Sequence, residues 1–387
     1  MSTSLYLHIP FCKHRCAYCD FNTYAGQDDS IPAYVRALCN EIKSVGADQP
    51  GLELGTIFFG GGTPSLLSAA HYQAIFAAIF TSFEVLAGAE ISLEANPGTI
   101  SQDYLKDLFS LGINRISYGV QSANPEELHM LERIHVYSDV VDAVKWSRQA
   151  GFDNLNLDLI YGLPEQTLER WQKTVRLVMG FRPEHISAYA LTLEHGTPFG
   201  RWAARGLLPI PDPDMAAEQY EWTSLFLKQQ GYEHYEISNW SLPGRQCRHN
   251  LQYWRNLDYL GLGAGAHGYA GGYRYSNVLR IKTYIDRCAS SESSTLPFPL
   301  TAATVNQHKN SRRDDMQETM MTGLRLTDEG ISLAGFFARF GMDAGQVFGK
   351  EIEEVTRLGL LETVGDTLRL TERGRLLGNQ VFMQFVG

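Results

Sequence analysis

Residues Asn154–Gly162 read NLNLDLIYG, and in this stretch Leu155, Leu157 and Leu159 alternate with Asn154, Asn156 and Asp158. Alternation of this kind marks a strand with one apolar and one polar face. The same period runs through Leu5, Leu7 and Ile9 against Tyr6 and His8, and through Ile91, Leu93 and Ala95 against Ser92, Glu94 and Asn96. It returns in Ile116, Tyr118 and Val120 against Ser117, Gly119 and Gln121. Thr56–Phe59 and His185–Leu191 add two further strand candidates. Helical patterns separate them. Tyr34, Leu38, Ile42 and Val45 form one apolar stripe, with Gly46 as its stop, and Tyr72, Ile75, Phe76, Ile79, Phe80 and Phe83 form another. Further helices are capped by Ser101 and end at Gly112, open at Asn124-Pro125, and open near Thr167. Strand and helix alternating this regularly predict parallel strands joined by right-handed crossovers. In an open doubly wound sheet both faces are covered by helices, and strands read as continuous apolar runs. The polar row in strand after strand predicts instead an α/β partial barrel whose polar faces line a cavity, with its site at the C-terminal strand ends.

Directly behind the first of these strands, Leu5–Phe21 reads LYLHIPFCKHRCAYCDF. Cys12, Cys16 and Cys19, three of the six cysteines, form a C-x3-C-x2-C loop at the expected barrel mouth. Thiols clustered this tightly point to a metal or iron–sulfur site rather than a disulfide framework. A four-iron cubane uses three cysteines and leaves one iron open, whereas a tetrahedral zinc ion would take a fourth ligand from His8 or His14. Cys39, inside a helical stripe, reads as a small buried hydrophobe. Gly60-Gly61-Gly62-Thr63-Pro64 follows the second strand, and its backbone N–H groups are candidates for an anion; a plain tight turn is the alternative. Glu94, Gln121 and Asp158 face the cavity, where a buried carboxylate needs a ligand, a cation, or pairing with Arg115 or Arg133.

The 387 residues carry a formal charge of −10 with Lys and Arg scattered, which excludes a basic nucleic-acid stripe. No run of about 18 apolar residues spans a membrane. The first strand begins by Leu5, with no room ahead of it for a signal or transit peptide, so the cytoplasm is the expected compartment. From about Pro209 the alternation fades into a helix near Met215–Lys228, then YEHYEISNW, CRHNLQYW and GLGAGAHGYAGGY. The expected divisions are a barrel over 1–208, an extension carrying HNLQYW over 209–289, a Ser- and Pro-rich linker over 290–300, and a C-terminal unit over 301–387. That last unit combines Phe336, Phe337 and Phe340, then Ile352, Val355 and Leu358, a hairpin turning at Gly365-Asp366, and a Thr371-capped helix. The order resembles a winged helix. It carries as much acid as base, which favours a structural or partner-docking role over DNA.

C-x3-C-x2-C after the first strand, GGGTP after the second, S-x-E-x-x-P after the third and G-V-Q after the fourth resemble the radical S-adenosylmethionine superfamily. More narrowly, HIPFC, CRHN, GLGAGAH and the C-terminal unit resemble the oxygen-independent coproporphyrinogen III oxidase family over nearly the whole chain. The resemblance implies a [4Fe-4S] cluster on Cys12, Cys16 and Cys19, with the amine and carboxylate of S-adenosylmethionine on the open iron. It also implies nucleotide contacts from Tyr6, Tyr18, Gly61, Gly62, Thr63, Glu94, Gln121, Arg133 and Asp158, with Glu94 and Asp158 suited to the amine and ribose and Arg133 to a carboxylate.

Phe21 stands where the dehydrogenases of that family carry a fourth cysteine. With HNLQYW at 249–254, this makes the chain similar to the HemW-type haem chaperones. The likeness implies haem as cargo, bound through His249, Asn250, Tyr253 and Trp254, with His249 as axial ligand and His267 or Cys247 as alternatives. On a helix, His249 and Tyr253 would share one face. The implied partners are haem-accepting apoproteins such as respiratory enzymes. Peripheral membrane association fits such partners, although no basic amphipathic segment is present. Two enzymatic alternatives stay open: radical decarboxylation of coproporphyrinogen III, and a radical reaction on haem itself.

Overall fold

The computed structural model describes residues 2–290 and 296–386, so 291–295 of the expected linker lie outside the described residues. Residues 1–223 and 259–308 form one compact unit, and 224–258 with 309–387 form another. The expected extension 209–289 is therefore not one piece: its middle, with HNLQYW, belongs with the C-terminal unit.

In the first unit, six parallel strands follow one another in space: β1 (Thr3–Ile9), β2 (Glu53–Gly61), β3 (Glu84–Ala95), β4 (Arg115–Gln121), β5 (Leu155–Tyr161) and β6 (His185–Ala190). On the other side of β1 lie β7 (Tyr259–Leu262), also parallel, then β8 (His267–Ala270), β9 (Tyr273–Asn277) and β10 (Thr304–Lys309). Between the parallel strands run α1 (Ile31–Asp48), α2 (Ala69–Ser82), α3 (Gln102–Ser110), the short helix Pro125–Met130 with α4 (Tyr137–Ala150), and α5 (Leu168–Met179). The side-chain caps sit where the sequence places them: Ser101 accepts from Tyr104 N–H, Asn124 from Glu126 N–H and Thr167 from Arg170 N–H. Gly46 is a correction. The α1 helix runs past it to Asp48, and a Cβ at Gly46 would lie 2.4 Å from Ser82 Cβ. The glycine brings α1 against the end of α2 and does not stop the helix.

Both faces of β1, β4 and β5 are almost wholly buried, although only one face is apolar. The polar face is internally hydrogen-bonded, as burial requires. Thr56 Oγ1 donates to Ser4 Oγ at 2.6 Å, and Asn156 Nδ2 donates to Ser117 Oγ at 2.7 Å and Ser187 Oγ at 3.0 Å. His185 Nδ1 donates to Asn156 Oδ1 at 2.6 Å, and burial together with the charge of Arg115 holds this imidazole well below its ordinary pKa. A polar row turned inward, with helices on the apolar row, is the partial-barrel arrangement.

The second unit packs Met316, Met320, Leu324, Phe336, Phe340, Phe348 and Val355 into one core with Leu361, Leu368 and Leu370 of a hairpin. Helices Arg312–Gly323, Leu333–Phe340 and Ala344–Arg357 precede the strands Leu361–Val364 and Thr367–Leu370, and Thr371 caps the helix Glu372–Leu376. This is the winged-helix-like order.

Candidate functional site

The cysteine loop leaves β1 at Pro10 and is held by backbone bonds. Tyr24 N–H donates to Pro10 O at 2.7 Å, Gly62 N–H to Ile9 O at 2.9 Å and Thr63 N–H to Phe11 O at 2.7 Å. The GGGTP turn thus spends its N–H groups on the loop, and Gly61 N–H goes to Glu94 Oε2 at 3.0 Å. Three N–H groups expected to be free for an anion are therefore committed. The glycines answer crowding: a Cβ at Gly61, where φ is +114°, would meet the His8 ring at 2.5 Å, and one at Gly62 would meet Phe11 O at 2.6 Å. Below the loop, Ala17 packs with Leu131, Ile160, Leu163 and Phe199, and Tyr18 lies against that cluster.

Each of the three sulfurs has a polar neighbour. Thr63 Oγ1 donates to Cys12 Sγ at 3.5 Å, Arg133 Nη1 donates to Cys16 Sγ at 3.6 Å, and Cys19 Sγ lies 4.0 Å from Thr23 Oγ1. Burial raises the Cys12 and Cys19 thiols above their ordinary pKa, so ionising them calls for a compensating positive centre. Among the described residues no group of three His, Cys, Asp or Glu side chains could hold a single metal ion, which is the geometry zinc requires. A cubane spreads three thiolates over three irons, and this loop fits it. His8 and His14 are not zinc ligands here. His8 Nε2 donates to Asn22 O at 2.9 Å while Nδ1 accepts from Tyr6 hydroxyl at 2.9 Å; His14 Nε2 lies 3.1 Å from Glu132 Oε2.

Around the loop stand the other expected residues. Glu94 is half-buried, and its carboxyl is pushed up to about 7 by desolvation first and by Asp158 second, against the Gly61 N–H and Arg115. Asp158, also raised by burial, is better satisfied: Ser117 Oγ donates to it at 2.8 Å and Asn156 Nδ2 at 2.7 Å. Arg133 does not pair with either carboxylate. Its Nη2 donates to Gly119 O at 2.7 Å, it hydrogen-bonds Tyr18, and its buried Nε has no partner. Gln121 ends β4 at a bulge with φ of +67°, so the strict alternation expected there breaks at its last residue. Tyr6 stacks on Phe58 with centroids 6.2 Å apart. A residue that sequence reasoning missed is His135: its Nε2 donates to Val120 O at 3.1 Å beside the bulge, and burial and Arg133 lower it to about 4. No spacing signal marked it.

The HNLQYW residues form the helix Arg248–Trp254 in the second unit. His249 is fully buried, with Nε2 2.8 Å from the Tyr253 hydroxyl and the rings edge to face. The Arg325 guanidinium lies 4.4 Å from the Trp254 ring centroid, and Asn256 Nδ2 donates to Thr319 Oγ1 at 3.2 Å. The helix is thereby packed on the Arg312–Gly323 helix. Asn250 is half-buried on it and Cys247 is its buried N-cap.

Residues 6–178 match the Radical SAM superfamily model and residues 310–377 the HemN C-terminal domain. The chain is 37% identical to the heme chaperone HemW of Lactococcus lactis over 383 residues, covering 99% of this chain and 97% of that protein. The chain belongs to the heme chaperone HemW family. The HemW of Bacillus subtilis is also 37% identical, with 99% of each chain covered, and that of Escherichia coli is 36% identical, with 99% of this chain and 98% of that one covered. Among solved structures, coproporphyrinogen III oxidase HemN of Escherichia coli, a radical SAM enzyme, superposes with a TM-score of 0.84 at 25% identity over 99% of this chain and 90% of its own. This chain and HemN therefore share one architecture: a radical SAM α/β fold with a mainly helical C-terminal domain.

Proposed function

We propose that this HemW family member is a haem carrier of the cytoplasm that binds a [4Fe-4S] cluster and S-adenosylmethionine and hands haem to acceptor apoproteins. Full-length similarity to HemW relatives supports the reading, and Phe21 is the observation that carries it. At the barrel mouth, at the position where the dehydrogenases that the chain resembles carry a fourth cysteine, this chain exposes Phe21, which is 63% accessible. Among the described residues no helix is long and apolar enough to cross a membrane. When bound, the cluster supplies an open iron for S-adenosylmethionine and an electron for its reduction. Cys12, Cys16 and Cys19 would hold it. Glu94, poorer in protein donors than Asp158, would accept from the amine, and Arg133 would offer its unpaired Nε to the carboxylate. Tyr6, Tyr18, Gly61, Gly62, Thr63, Gln121 and Asp158 enclose the nucleotide, the GGGTP turn by close approach of its backbone.

A second reading, radical decarboxylation of coproporphyrinogen III, is supported by the structural likeness to HemN. One experiment separates the two. Anaerobically reconstituted protein receives reductant, S-adenosylmethionine and coproporphyrinogen III, and separately hemin followed by an apo-cytochrome acceptor. The carrier reading expects haem to reach the acceptor and no protoporphyrinogen to form. Protoporphyrinogen formed together with 5′-deoxyadenosine would overturn it.

A further inference from the structure

In the motif helix the His249 side chain is wholly buried, with its Nε2 2.8 Å from the Tyr253 hydroxyl. Another imidazole is placed differently. His267 opens β8, is exposed, and makes no side-chain hydrogen bond among the described residues. The backbone sets it at the barrel mouth. Gly261 of β7 pairs with Tyr6 of β1, and a Cβ on Gly261 would run into His267 O. The His8 imidazole, held below its ordinary pKa first by burial, also lies within electrostatic reach of His267.

The same rim exposes two large apolar side chains, Phe21 at 63% and Leu279 at 55%. Asn22 ties their backbones together. Its Nδ2 donates to Ala264 O and to Leu279 O, both at 3.0 Å, and the Tyr24 hydroxyl donates to Leu279 O at 3.2 Å. Gly265, with φ of +82°, lets the turn before His267 press against Asn22, and its N–H donates to Val278 O at 2.9 Å. Two exposed arginines neighbour these residues, one in space and one in sequence. Arg15 Nη2 lies 3.4 Å from Phe21 O, and Arg280 follows Leu279 directly.

An imidazole beside an apolar ledge with arginine neighbours matches one ligand chemistry, an iron porphyrin with propionates. The imidazole lone pair binds iron, apolar side chains cover the macrocycle, and arginines meet carboxylates. We infer that haem docks on this rim of the barrel mouth, with His267 as the iron ligand and Phe21 and Leu279 as its apolar ledge. The inference rests on the haem-carrier reading. Binding forms one Fe–N bond from a neutral imidazole, whose other nitrogen keeps its proton, and no electron is transferred.

Hemin titration of the full chain, followed by Soret absorption and electron paramagnetic resonance, tests it. Wild-type protein takes up hemin with an imidazole-ligand signature. His267→Ala loses that signature and binds at least about tenfold more weakly, a difference of about 1.4 kcal/mol, and free imidazole restores the spectrum. Phe21→Ser with Leu279→Ser weakens binding and keeps the signature. Wild-type spectrum and affinity in His267→Ala would overturn the assignment. Failure of the wild-type protein to bind hemin at all would overturn the carrier reading itself, whichever residue holds iron.

Discussion

At the scale of single residues, the site turns on a carboxyl that is poorly satisfied by the protein alone. Glu94 titrates near 7 because burial and Asp158 both disfavour its charge, while Tyr6, Asp158 and Arg115 are the ionisable groups that face it. The ionised form is the stronger acceptor for the N–H groups of the ligand's amine. Affinity for S-adenosylmethionine therefore falls as pH drops through about 7 and levels off above it, and calorimetric titration from pH 6 to 8 checks this. Glu94→Gln weakens binding and flattens that dependence. Gly61→Ala tests the crowding under the loop. It forces a side chain into the His8 ring at positive φ, and the expected cost of about 1–3 kcal/mol shows as a lowered Tm. Cys16→Ser, by contrast, loses iron on reconstitution, read by iron and sulfide analysis.

At the scale of elements, a buried acid joins the strands beyond β7 to the barrel. Glu41, on α1, accepts from Gly263 N–H at 2.8 Å, the Tyr284 hydroxyl at 2.5 Å, Asn277 Nδ2 at 2.8 Å and Thr301 Oγ1 at 2.8 Å. Glu41→Ala leaves those buried donors without their acceptor, at about 1–3 kcal/mol each, and denaturant unfolding should show a loss of at least about 3 kcal/mol. In the second unit Arg325 pairs with the fully buried Glu236 while covering Trp254. Arg325→Met strands that carboxylate and destabilises by about 3–5 kcal/mol, measured in the same way.

Strands β1, β4, β5 and β6 and the caps at Ser101, Asn124 and Thr167 were legible because two-residue alternation and first-turn hydrogen bonds are local. Much else was not. The start of β3 at Glu84 was missed because EVLAGAE carries a Gly and no clean alternation, and its place is fixed by pairing with β2. The GGGTP turn looked like an anion cradle because nothing local shows that its N–H groups belong to Ile9, Phe11 and Glu94. His135 and Glu41 were invisible for the same reason, since their partners lie far along the chain. The two-way division was hidden too, because 224–258 joins a unit that resumes only at 309.

At the scale of the whole molecule, the residues assigned to the cluster and those assigned to haem are distinct sets. Replacing Cys12, Cys16 and Cys19 together by Ser should therefore abolish iron–sulfur absorption yet leave one hemin bound per chain, a stoichiometry that Soret titration measures. The backbone bonds that Tyr24, Gly62 and Thr63 donate to Pro10, Ile9 and Phe11 pin both ends of the cysteine loop to the barrel. Loss of the cluster to air is therefore expected to leave those anchors in place, which hydrogen exchange at the Tyr24, Gly62 and Thr63 amides checks. Damage of that kind is a matter of resupply: iron and sulfide returned under anaerobic conditions rebuild the centre in place, with no cycle of unfolding and refolding.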